Sequence, residues 1–213
     1  MKTDDLVSML ATGALPVPRQ AATRRLRQAV VLGLPISAAI MLLQFGVRPD
    51  LQDVLAEPMF WVKLLFPLSI ALAGFAAVQR LARPGVRLGG AGAALVLPVL
   101  LVWGMGLVVW WSAPADTRAE LLLGNTWRSC VFSIGLMAAP VFFAALYALK
   151  GLAPTRPAWA GAAAGAMAGG AGAAVYALHC PELAAPFLAV WYVAGIALPV
   201  LVGAAIGPRL LRW

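Results

Sequence analysis

The chain has 213 residues, of which 62% are hydrophobic and 11% charged, with a mean hydropathy of +0.89. A water-soluble domain carries about 25% charged residues to cover its core, and a disordered chain is poor in apolar ones, so composition excludes both and puts the protein in a membrane. The net charge of +8 is no nucleic-acid signature, because the basic residues sit in short clusters between apolar runs and form no basic helix or aromatic-lined groove.

Residues 1–27 read as a cytoplasmic N-terminal segment and linker, and 28–213 as a transmembrane domain. Met1–Gly13 predicts a short helix with Thr3 as its cap, Asp4 and Asp5 in the first turn where the macrodipole favours negative charge, and Gly13 at its end. Leu6, Met9 and Leu10 then share one face. So short a helix is marginal in water, and its apolar face needs a partner. One candidate is the lipid surface, although anionic lipid repels Asp4 and Asp5. The other is a groove with a basic rim on a cytoplasmic protein. Pro16 and Pro18 follow as a stiff spacer, and Thr23–Gln28 is basic. Acids near the start and two prolines before any apolar run argue against a secretory signal.

Six runs are long enough to cross a bilayer as helices: 28–46, 61–79, 91–111, 127–149, 158–178 and 186–207. None alternates in the manner of a barrel strand. The predicted fold is therefore an all-α, polytopic six-helix bundle. Twelve of the sixteen Lys and Arg residues fall on one side, which by the positive-inside rule is cytoplasmic and holds both termini. On the other side stand Arg48, Lys63, Arg118 and Arg128, with six of the eight acids. Lys63 and Arg128 lie near the outer ends of their runs, where long side chains snorkel to water.

Five of the runs carry an internal proline, at Pro35, Pro67, Pro98, Pro140 and Pro199, and each favours a kink. The fifth run contains Gly161, Gly165 and Gly169, a small-residue stripe suited to close helix packing within the bundle or to a homodimer.

Cys130 begins the fourth run and Cys180 follows the fifth, so both thiols belong near the outer surface. A permanent disulfide, two buried free thiols and a sensor all remain open. His179 beside Cys180 completes a candidate soft-metal set of two thiolates and an imidazole. Any such metal would bind transiently, and no resident cofactor is expected. Arg128 is placed in sequence to lower the Cys130 thiol pKa. No acid or histidine lies deep in a run, as ion-coupled transport would need. No catalytic triad, HExxH, phosphate loop or CxxC is present, so no enzyme is indicated. A small-solute transporter and an assembly factor of a membrane complex remain as alternatives, and neither explains the acidic, apolar tip.

Several of these residues also carry a resemblance. Met1-Lys-Thr-Asp-Asp-Leu-Val7 with Leu10-Ala11, Trp127-Arg-Ser-Cys130, His179-Cys-Pro-Glu182 and the terminal Arg212-Trp213 resemble the NrsF family, negative regulators of sigma F, over nearly the whole chain. The resemblance implies an anti-sigma factor of the bacterial inner membrane. It implies that Asp4, Asp5, Leu6, Met9 and Leu10 hold an extracytoplasmic-function sigma factor. It implies, too, that metal or oxidative stress sensed at Cys130 and Cys180 releases that partner.

Overall fold

The computed structural model describes residues 2–12 and 20–212, and among them every regular element is helical. Gly13, the expected end of the first helix, lies outside the described residues. That helix, α1 (Thr3–Ala11), begins one residue earlier than a Thr3 cap would place it. The reason is local: the Asp5 carboxylate accepts a 3.2 Å hydrogen bond from the Lys2 backbone amide, so Lys2 takes the cap position. At the other end the Thr12 hydroxyl donates to the Ser8 carbonyl at 2.6 Å. No residue of α1 is buried.

The long helices are α2 (Ala21–Gln44), α4 (Pro58–Leu81), α5 (Gly90–Ser112), α7 (Trp127–Lys150) and α8 (Pro157–Tyr176). Last comes Ala185–Leu210, in which α9 (Ala185–Phe187) passes through a π-helical turn, Leu188–Tyr192, into α10 (Val193–Leu210). Two short helices that hydropathy does not reveal, α3 (Leu51–Val54) and α6 (Arg118–Leu123), sit in loops at the acidic end. α2 starts well before residue 28, because Ala, Arg, Leu and Gln are strong helix formers and carry the helix back through the basic stretch. It stops where Gly46 adopts φ +72° and both Phe45 and Gly46 amides bond to the Met41 carbonyl at 3.0 Å. Pro58 and Pro157 open α4 and α8, where no intrahelical bond is lost with the missing amide. The five expected interior prolines, and Pro208, all lie inside helices.

Five segments are long and apolar enough to span a membrane: Ala21–Gln44, Pro58–Leu81, Gly90–Ser112, Arg118–Lys150 and Ala185–Leu210. α8 has 20 residues, which is enough length, but its Gly and Ala side chains bring little hydrocarbon. It has little need of lipophilic side chains, since nearly all of it is buried among α4, α7 and α10.

Its glycines explain how three helices can crowd one. Gly161 faces Gly203, Gly165 faces Pro199 and Gly169 faces Ile196, so α8 and α10 run antiparallel in backbone contact. On the next face a Cβ at Gly170 would stand 2.5 Å from the Pro67 carbonyl oxygen of α4. On the third, one at Gly172 would stand 2.5 Å from the Ala138 amide nitrogen of α7. The Gly161–Gly165–Gly169 stripe is thus taken up by α10 within the chain and is not free for a second copy. Two apolar clusters fill the bundle, one around Leu26, Val78, Leu81 and Leu149, the other around Ile134, Tyr176, Phe187 and Leu188.

Gly165→Val drives a branched side chain into the α10 backbone at Pro199 and Val200. The expected loss is about 1–3 kcal/mol, as for overpacked cores, read as a lowered thermal midpoint of the detergent-solubilised protein. Gly104→Ala, with nothing within 4 Å of the added Cβ, should leave the midpoint unchanged or raise it.

Candidate functional site: a thiol pair beneath two buried cations

Cys130 lies in the first turn of α7 and Cys180 in the loop after α8. α7 and α8 form a hairpin, so the two positions come to the same end of the bundle. Both thiols are free, fully buried and members of one apolar cluster with Tyr176 and Tyr192. The Cys180 sulfur stands 3.9 Å from the Thr126 hydroxyl. Sequence position alone puts the thiols near the surface; packing by the last span and the loops has closed over them.

The loop around Cys180 is tied down from every neighbouring element. The Arg48 amide donates to the Leu178 carbonyl at 3.1 Å. The Asn125 amide donates to a Glu182 carboxylate oxygen at 2.7 Å. Gly124, at φ +52°, allows that approach, since a Cβ there would meet the same carboxylate. His179 turns its Nδ1 to the Gly46 carbonyl at 3.0 Å and packs against Phe45 and Tyr176. It therefore joins the end of α2, away from the thiols. Among the described residues no three His, Cys, Asp or Glu side chains are grouped to hold a metal ion. The candidate set of Cys130, Cys180 and His179 is not assembled here.

Two cations converge on the same loop. Lys63, expected to snorkel outwards, is fully buried instead, and its ammonium donates to the carbonyls of Cys180 and Glu182, the latter at 2.8 Å. The Tyr192 ring lies 5.5 Å from that ammonium. Lys63 faces the loop after α8, where main-chain carbonyls replace water. The Arg48 guanidinium also donates to the Cys180 carbonyl, at 3.3 Å, and forms two 2.7 Å bonds to Asp50. That pairing raises the pKa of Arg48 and holds the Asp50 carboxyl below its ordinary range. Arg128, by contrast, stacks on the Trp127 ring at 5.1 Å and is exposed. Two residues apart on a helix is about 200° of rotation, so Arg128 and Cys130 occupy opposite faces. Lys63, with Arg48, is the charge beside the thiols. The sequence does carry a signal for it: an ionisable residue inside an apolar run is a functional candidate by default.

The π-helical turn contributes Tyr192, whose buried hydroxyl has no hydrogen-bond partner among the described residues. The turn also leaves the Ala189 carbonyl to accept the Trp103 indole N–H at 2.8 Å. Among the described residues the other buried polar side chains are Ser37, bonded to the Gly33 carbonyl of its own helix, and Ser133. Neither outlines a polar pathway through the bundle, as a transporter would require.

These features define a class: a helical, membrane-type bundle with a buried thiol pair and a solvent-exposed amphipathic tail helix. A model of the family described as negative regulator of sigma F, NrsF, matches residues 10–213. The chain is 45% identical over 213 residues to a probable anti-sigma-F factor NrsF of Azospira oryzae, with all of both chains covered. It is 42% identical over 217 residues to the anti-sigma-F factor NrsF of Caulobacter vibrioides, again with full coverage of each. No solved structure matches it. The chain belongs to the NrsF family of anti-sigma factors.

The two cations predict how the thiols behave. Removing the Lys63 ammonium with Lys63→Met takes two hydrogen bonds from the Cys180 loop. At about 1 kcal/mol net for each, local opening should rise about tenfold or more. Maleimide labelling of Cys180 in isolated membranes, followed by intact mass, should be slow in the parent and correspondingly faster in the variant.

Proposed function

We propose that this chain is a six-pass anti-sigma factor of the bacterial inner membrane, with both termini in the cytoplasm and α8 as the sixth pass. It holds an extracytoplasmic-function sigma factor through its N-terminal segment and releases it when metal or oxidative stress acts on Cys130 and Cys180. The observation that carries the reading is α1 itself. Val7, Met9 and Leu10 are 59%, 60% and 70% exposed, with Asp4 and Asp5 beside them and no residue buried. An amphipathic helix left open in this way suits a groove on a partner protein. Sigma factors bind DNA and carry basic surfaces, which complements the two acids.

The structure also offers a physical route between thiols and tail. α7 is one continuous helix from Trp127 to Lys150, so it carries Cys130 at one end of the bundle and reaches the other. There the Gly151 carbonyl accepts a 2.8 Å bond from Arg25, in the second turn of α2 and close to the tail. Midway, Gly33 of α2 lies on the α7 backbone at Val141, where an added Cβ would stand 2.7 Å from Cα. Helices in such contact move together or separate, with little room to adjust gradually. A disulfide or a soft metal ion joining Cys130 to Cys180 would shift α7, and α2 with its tail would follow.

Leu6→Ala with Leu10→Ala, or Asp4→Lys with Asp5→Lys, should lower co-purification of the sigma factor about tenfold or more while membrane insertion is retained. Full capture by both double variants would sink the tail-binding claim. Cys130→Ser with Cys180→Ser should capture the partner normally yet hold it through treatment with a thiol oxidant or a soft metal ion. Release from that variant, read by a sigma-dependent reporter, would leave the cysteines without a sensing role.

A further inference from the structure

The basic end of α2 is flanked by cavities that the proposed regulation does not use. One, of about 590 Å³, lies along the start of α2, and its described lining, Thr23, Arg24, Arg27 and Gln28 included, comes from residues 20–28 alone. A second, of about 500 Å³, opens beneath Arg27 between α2, α4 and α8, with walls that include Val31, Leu34, Leu72, Phe75 and Ala171. Arg27 lines both, so the cationic face of α2 adjoins the upper end of the apolar groove.

Arg24, Arg27, Val31 and Leu34 fall on one helix face at i, i+3, i+7 and i+10. Polarity on this face therefore changes along the helix axis, from charge at the basic end to hydrocarbon further in, as it does along a phospholipid. Among the described residues the one ion pair is Arg48–Asp50, at the far end, so these arginines have no carboxylate partner there. Ser, Thr or Asn caps could end this helix equally well, and topology needs cations but no cavity around them.

We propose that α2, α4 and α8 form a binding site for one anionic phospholipid, with its phosphate against Arg24 and Arg27 and an acyl chain in the groove below. The occupant is fixed by charge and shape together. Clustered arginines at the cytoplasmic surface attract anionic headgroups, and Arg27 stands at the rim of the groove between the helices. A soluble phosphate or an acidic peptide would satisfy the arginines but leave the apolar groove empty. The phospholipid fills both, and it would rest on α2, the helix that carries the tail.

The test uses the full-length protein in neutral detergent, with phosphatidylglycerol or phosphatidylcholine of identical chains added and bound lipid counted by native mass spectrometry. Retention of one phosphatidylglycerol should exceed that of phosphatidylcholine about tenfold. At about fivefold per arginine, Arg24→Gln with Arg27→Gln should remove that preference. Val31→Trp, which fills the groove from a lipid-facing position 62% exposed, should lower retention of both lipids. Arg83→Gln, a cation that lines neither cavity, should change nothing. Equal retention of the two lipids, an equal loss with Arg83→Gln, or an unaffected Val31→Trp would overturn the proposal. Displacement of the lipid by millimolar inorganic phosphate would overturn it too, because the site would then belong to a soluble anion. No sigma factor enters the experiment, so its failure leaves the anti-sigma reading untouched.

Discussion

Backbone contact along α8 is the constraint on which the rest of the molecule depends. Helices with ordinary side chains pack at 8–10 Å between axes, and α8 lets three neighbours come into backbone contact because it is thin. α8 is thin because glycine faces each neighbour: Gly165 towards α10, Gly170 towards α4 and Gly172 towards α7. Within lipid there is little hydrophobic force between helices, so this close van der Waals fit is what holds them. It also fixes register. With α8 locked to α7 at Gly172 and Ala138, the loop leaving α8 has to pass over the first turn of α7, and Cys180 meets the cluster that holds Cys130.

The two ends of the bundle use positive charge in opposite ways. At the tail end, the arginines of α2 stay exposed and, among the described residues, have no acidic partner. At the thiol end, Lys63 and Arg48 are withdrawn from water and bonded to main-chain carbonyls of a single loop. An ammonium buried without a carboxylate is strongly destabilising; here the Cys180 and Glu182 carbonyls of the loop after α8 supply the compensation. Four residues of the loop after α8, His179–Glu182, become the meeting point of α2, α4 and the α6–α7 connection. Anything that alters Cys180 acts on a junction already shared by those elements.

Much of this architecture is legible in the sequence. The apolar runs locate the long helices to within a few residues, because burial in hydrocarbon demands unbroken backbone pairing and leaves helix as the solution for runs of this kind. The small-residue stripe marks the tight helix. Local reasoning about charge is what misleads. Lys63 and Arg128 look alike in sequence, both basic and both near the outer end of a run, yet one is fully buried and the other exposed on Trp127. Their difference lies in which face of the helix each occupies and in what packs there. The early start of α2 escapes a hydropathy reading because hydropathy marks where hydrocarbon begins, whereas helix propensity continues past it into the arginines.

By itself the sequence determined that the protein is a bundle of apolar helices, which end is basic, and that an acidic, amphipathic tail precedes it. These follow from quantities summed along the chain: hydropathy, charge and periodicity. Only the tertiary structure decided that Cys130 and Cys180 are buried together, that His179 turns away from them, and that Lys63 with Arg48, rather than Arg128, is their neighbouring charge. Those facts depend on contacts between residues far apart in the chain, such as Lys63 with Cys180 and Gly172 with Ala138. No pattern within one helix specifies such contacts, because each is set by how closely the backbones of its neighbours can approach.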